Sequence, residues 1–153
     1  MSEVIADRSG MISELVTSTN HAIKTILPFR YHLNKPKQLG TNVNLQFGAL
    51  IGITGQIQAR FVLMGPPATF SRIAKLMFNM ELDDDMIVSF TGELGNMLAG
   101  GISTHILHSG IRTDITAPTI MKGNTMLTGY EKAIHISVEF SHEDKLEICL
   151  LLD

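Results

Sequence analysis

Residues 89–106 read SFTGELGNMLAGGISTHI, and the fold turns on how this stretch lies on a helix. At ~100° per residue, Phe90, Leu94, Leu98, Ile102 and Ile106 spread over a broad apolar face, extended by Ile87. Such a face packs on a core. On the other side, Ser89, Gly92, Glu93, Asn96, Gly100 and Ser103 fall within about a third of a turn. Glu93 and Asn96 are three residues apart and so point the same way. Gly92, Gly95, Gly100 and Gly101 each cost the helix ~1 kcal/mol relative to alanine. Gly95 and Gly101 are placed to allow close packing inside. Gly92 and Gly100 flank Glu93 and Asn96, and a bare backbone there lets another molecule come close. The plainer alternative is a surface helix whose glycines all serve internal packing.

Outward from this stretch the pattern alternates between helical and extended. Ile12, Leu15, Val16, Thr19, Ile23 and Ile26 keep a helical period from about Gly10 until Pro28. Glu14, Ser18, His21 and Lys24 form its expected solvated face. Phe29 to Leu33 reads as a short strand before a polar turn, Asn34 to Gly40. Val43, Leu45, Phe47 and Ala49, then Ile57, Ala59, Phe61 and Leu63, alternate with polar or small residues around a turn at Gly55. Period-two alternation of this length signals a half-buried antiparallel pair.

Pro66 and Pro67 open a second helix, whose apolar face is Phe70, Ile73, Ala74, Met77 and Met80. Asp83, Asp84 and Asp85 then read as caps for the next helix, their charge suiting its N-terminus. Thr113 to Ile120 is a strand interrupted by Pro118, and Met121 to Tyr130 reads as a loop. Ile134 to Phe140 and Leu146 to Leu152 make a final hairpin. The expected fold is α+β: one domain over residues 1–153, with three helices on one face of a mostly antiparallel sheet of about six strands.

Composition excludes several functions. Hydrophobic residues make up 44% and charged residues 18%, which is a packed chain rather than a disordered one. The net charge is −3 with basic residues scattered, there is no Trp, and there are two Tyr. Neither a basic stripe nor a stacking platform for nucleic acid is present. No apolar run approaches the ~20 residues of a membrane span. The first residues carry Glu3 and Asp7 in place of an apolar secretion signal, so a cytoplasmic location is expected. Cys149 is the only cysteine, which rules out an internal disulfide; it reads as a small strand residue.

Site chemistry narrows further. Gly95 and Gly100 share the spacing of a phosphate loop, but Gly101 and Ile102 stand where Lys and Ser/Thr belong. There is no GxGxxG and no GxSxG. His105 and His108 lack partners at zinc-site spacing. What remains is Glu93 and Asn96. An amide can orient a water through its carbonyl and NH₂ groups, and phosphoryl transfer rests mostly on such positioning. An acid and an amide on an open helix would do little alone, but they could complete an active site on another protein.

The pattern Ser89-x3-Glu93-x2-Asn96-x21-Pro118 resembles the signature of the CheC/CheX/FliY chemotaxis phosphatases: Asp or Ser, Glu, Asn and, after about 22 residues, Pro. The strand spacing around it is also similar. CheC carries two such helices; here the N-terminal helix has Glu14 but Thr17 where the asparagine would stand. The chain therefore resembles the single-site CheX branch. The resemblance implies a CheC/CheX-like fold and an enzyme that hydrolyses the aspartyl phosphate of a CheY-like receiver domain. Asn96 would orient the attacking water and Glu93 would pair with the receiver's lysine. Ser89, Gly92, Gly100, Ser103 and Pro118 would contact that partner. The protein would need no cofactor of its own, since Mg²⁺ would come with the receiver. The resemblance also implies a homodimer joined through sheet edges. A binding module that docks on a receiver domain or flagellar-switch partner without turnover is the alternative.

Overall fold

The computed structural model describes residues 8–141 and 143–153. The extreme N-terminus, with Glu3 and Asp7, lies outside them. In chain order the elements are α1 (Arg8–Ile26), β1 (His32–Leu33), β2 (Lys37–Leu39), β3 (Val43–Gly55), β4 (Ala59–Met64), α2 (Pro67–Phe78), α3 (Asp84–Ile106), β5 (Thr113–Ile115), β6 (Thr119–Leu127), β7 (Lys132–Glu139) and β8 (Lys145–Leu152). All strand pairs are antiparallel. The order β1-β7-β8-β4-β3-β5 is six strands across, with β2 sharing the edge of β7 and β6 sharing the edge of β3. The expected six-strand width thus comes from eight strands, because β3 and β7 each carry two partners end to end.

Two of those strands correct the sequence reading. The expected loop at Met121–Tyr130 is mostly β6, paired with β3 from Val43↔Leu127 to Leu50↔Thr119. Its alternation is broken by a bulge: the register passes from Leu45↔Thr125 to Phe47↔Lys122, one extra residue on β6, with Gly123 at φ 89°. A glycine in the left-handed region is the usual way to place such an extra residue. The expected polar turn at Asn34–Gly40 contains β2, held by backbone pairing to β7.

The sheet has an apolar cluster on each face. Ala49, Ile51, Phe61, Leu63, Ile136, Ile148 and their neighbours meet the three helices. Val62, Met64, Ala133, Cys149 and Leu151 form the other cluster, against which Leu39 of β2 and Leu127 of β6 pack, so the sheet curls its two edges toward one another. Along β3, Val43 and Leu45 belong to this outer cluster, whereas Phe47, Ala49, Ile51 and Ile53 belong to the helix side. The faces exchange between Leu45 and Phe47, where the register with β6 also shifts. The unbroken odd-numbered alternation in the sequence conceals this switch.

α3 starts where the aspartates place it. Asp83 is the N-cap, its carboxylate accepting from the Met86 amide at 2.9 Å, with Asp84 and Asp85 in the first turn. Leu94, Leu98, Ile102 and Ile106 are buried against the sheet side. Burying each side chain contributes roughly 1.5–3 kcal/mol, which together outweighs the four glycine penalties.

Candidate functional site

α3 holds the site as a ridge between two supports, and glycines set how close each support comes. A Cβ on Gly95 would lie 2.8 Å from Ile51 Cδ1, and one on Gly101 would lie 3.0 Å from the Ala22 Cβ. The sheet and α1 therefore approach the bare helix backbone at these two positions, as the spacing predicts. Lys24 is exposed as expected, but the rest of the α1 face expected to be solvated forms the joint with α3 and the turn after it. Ser18 is fully buried with Oγ 3.0 Å from His105 Nδ1, the His21 and His105 rings stack at 4.1 Å, and Ser109 Oγ donates to Glu14 Oε2 at 2.9 Å. Helical spacing alone could not tell which polar face would meet another helix. Desolvation lowers the His105 pKa below the usual histidine value, and the neighbouring His21 and His108 push it the same way, against Glu14. Glu14 is thus engaged in packing rather than offered from a second ridge.

Ser89 and Glu93 are exposed along α3, and Asn96 and Gly100 are half-buried, all on one line of the helix. Among the described residues, the Glu93 carboxylate and the Asn96 carboxamide make no hydrogen bond or ion pair. Their full bonding capacity is open. A Cβ on Gly100 would meet only Ile115 Cδ1, at 3.9 Å, so the backbone beside Asn96 is bare toward solvent.

Two of the expected contact residues are placed differently. Gly92 is buried and does not belong to the bare outer backbone. A Cβ there would sit 3.5 Å from the Pro118 ring and 3.5 Å from Ile120 Cδ1. The β5–β6 connection folds over this flank of the helix and seats Pro118 on Gly92, a long-range contact that helical spacing cannot reveal. Ser103 is likewise engaged: its hydroxyl lies 2.7 Å from Thr113 Oγ1 and donates to the Thr113 carbonyl at 3.1 Å. It ties α3 to β5 rather than facing out. Glu93, Asn96, Ser89 and Gly100 thus share the ridge, and Pro118 buttresses one side of it.

The other side carries a feature absent from the sequence reading. An apolar groove of about 320 Å³ runs between the end of α2 and the start of α3, lined by Met80, Leu82, Asp85, Met86, Ser89 and Phe90. Its signal in the sequence, methionines on either side of an aspartate run, is too common to single out.

Among the described residues, no group of three or more His, Cys, Asp or Glu side chains is placed to hold a metal ion, and no helix is long and apolar enough to cross a membrane. The Cys149 thiol is buried in the outer cluster, and burial pushes its pKa up to about 12. It is no nucleophile near neutral pH.

Fold and site define a helix-on-sheet domain that offers an acid and an amide from an exposed helix to some other molecule. The family described as chemotaxis phosphatase CheX matches residues 47–140. The CheY-P phosphatase CheX of Thermotoga maritima is 30% identical over 141 residues, covering 88% of this chain and 90% of the relative. The crystal structure of a CheX from Desulfovibrio desulfuricans superposes with a TM-score of 0.75 at 17% identity, over 92% of this chain and 97% of that one. A chain of the Borrelia burgdorferi CheX–CheY–BeF₃–Mg²⁺ complex gives 0.75 at 18% identity, over 92% and 96%. The protein belongs to the CheX family of chemotaxis phosphatases.

Proposed function

We propose that this protein dephosphorylates the aspartyl phosphate of a CheY-like receiver domain, with Asn96 of α3 holding the attacking water. The observation that carries the reading is the pair Glu93 and Asn96, both without hydrogen-bond partners among the described residues and lying on one line with bare Gly100. The Asn96 carboxamide enters the receiver's phosphorylated pocket and fixes a water in line with the phosphorus. The water oxygen bonds to phosphorus as the bond from phosphorus to the aspartyl oxygen breaks. Inorganic phosphate and a free aspartate carboxylate result. Glu93 pairs with a receiver lysine and keeps the helix in register. In this reading the Mg²⁺ belongs to the receiver, and residues 1–153 act as one phosphatase domain in the cytoplasm.

Phosphate release from a phosphorylated receiver domain tests this. Asn96→Ala lowers turnover by on the order of 10²-fold, as for loss of a positioned catalytic group, with little change in binding. Glu93→Ala chiefly weakens association. Wild-type rates for both variants would refute the assignment, and tight binding without turnover by the wild-type protein would make it a docking module.

We further propose a homodimer through the sheet edge. β6 is paired on one side by β3, and no strand among the described residues pairs with its other side. An unpaired edge is a ready surface for a second strand, and a two-fold dimer is the commonest closed assembly. Sedimentation at micromolar concentration distinguishes dimer from monomer.

A further inference from the structure

Large apolar side chains are unevenly exposed on this molecule. Phe78, Met80 and Met86 are 52%, 45% and 38% exposed and gather where α2 ends and α3 begins. Phe78 lies edge-on to Phe90 with ring centroids 6.3 Å apart, and Phe90 with Met80, Leu82 and Met86 lines the groove of about 320 Å³. Exposed apolar side chains gathered at one place mark interaction sites rather than scattered surface residues.

We propose that this groove receives an apolar side chain projecting from the same receiver domain whose phosphorylated pocket takes Asn96. The inference rests on the reading of Glu93 and Asn96 given above and adds a second point of attachment to it. Continuity of the two surfaces argues for that occupant. Ser89 lines the groove and stands one helical turn before Glu93 on the same line of α3. Met86 is seven residues before Glu93, about 10 Å along the helix axis. A partner seated on Glu93 and Asn96 with the footprint of a standard interface, roughly 800 Å² per side, covers the groove as well. Methionines at its mouth can adjust to the shape of the incoming group. Charge adds a constraint: Asp85 lines the groove, Asp83 and Asp84 precede it, and no Lys or Arg lines it. The incoming apolar side chain is therefore flanked by neutral or basic residues.

The chain's own first residues are a poor occupant. α1 runs antiparallel to α3, with Glu14 bonded to Ser109 beyond the far end of that helix, so Arg8 starts roughly 40 Å along the axis from Met86. Residues 1–7, fully extended, span at most about 25 Å.

The test compares wild type, Met80→Lys, Met86→Lys, Met86→Leu and Asn96→Ala in steady-state phosphate release from a phosphorylated receiver domain. Thermal unfolding of each checks that the exposed substitutions leave the fold intact. The two lysine variants raise KM roughly tenfold, equivalent to ~1.4 kcal/mol of binding, with kcat within about twofold of wild type. Met86→Leu keeps the wild-type KM. Unchanged KM in both lysine variants, while Asn96→Ala loses turnover, overturns the groove and leaves the phosphatase reading standing. Full turnover by Asn96→Ala overturns the role of Asn96 as the water holder, and with it the seating of the receiver on which the groove proposal rests. Lysine variants that dissociate a dimer in sedimentation and keep their KM assign the groove to a second copy of this chain and likewise overturn the proposal.

Discussion

Gly100→Ala separates the two uses of glycine in α3, because stability and function are expected to move in opposite directions. The new methyl would find only Ile115 Cδ1 nearby, at 3.9 Å, which is ordinary contact. Nothing in the fold resists it, while alanine gains up to ~1 kcal/mol over glycine inside a helix. The variant is therefore more stable by about 0.5–1 kcal/mol, which raises Tm by about 1–4 °C for a chain of this size. The same methyl stands on the surface where the partner's backbone must come close. Misplacement of reacting groups by ~1 Å can cost 10²-fold, so kcat/KM toward a phosphorylated receiver falls by roughly tenfold, and Gly100→Leu falls further. Gly95→Ala and Gly101→Ala are the controls on the same helix. Their methyl groups would lie 2.8 Å from Ile51 Cδ1 and 3.0 Å from the Ala22 Cβ, and overpacking costs of about 1–3 kcal/mol offset or exceed the propensity gain. Urea unfolding followed by circular dichroism, with phosphate release on the same samples, reads both quantities. A less stable Gly100→Ala, or a stabilised one with undiminished activity, refutes the close-approach reasoning.

Other outcomes follow from the same geometry. Asp83→Ala removes the cap that accepts from the Met86 amide and costs ~1 kcal/mol in urea unfolding. His105 has a lowered pKa in the fold, chiefly from desolvation. The folded state then binds fewer protons than the unfolded state once the pH drops below the ordinary histidine value of 6.5. Stability should decline from there until the folded-state value is passed, and His105→Gln should flatten that part of the Tm–pH curve. Glu147 behaves differently: its hydrogen bond to His135 holds its pKa below 4.5. The stability it contributes is complete above that pH and is lost as the pH falls through the lowered value, a more acidic window that Glu147→Gln should remove.

Local signals are legible where neighbours in the chain decide the outcome. Asp83 to Asp85 mark a helix start through groups within one turn, and the period of Leu94, Leu98 and Ile102 identifies the buried side. The relation between Glu93 and Asn96 follows from helix geometry alone. They give out where the partner is distant in the chain. β6 looked like a loop because Lys122 and Gly123 break the alternation, yet pairing with β3 holds it as a strand across its bulge. The polar side of α1 looked solvated because nothing near Ser18 in the chain announces His105, 87 residues on.

The amino-acid order by itself thus determined the three helices and the regularly alternating strands, the apolar side of each helix and the coincidence of an acid and an amide on one helical line, since all of these follow from the 3.6 and 2.0 residue periods. Only the tertiary structure decided what each bare position faces. Gly92 and Gly100 are alike on a helical wheel, but Pro118 covers one and leaves the other open. The physical reason is that close approach is a property of two backbones, and the second is brought there by strand pairing far away in the chain.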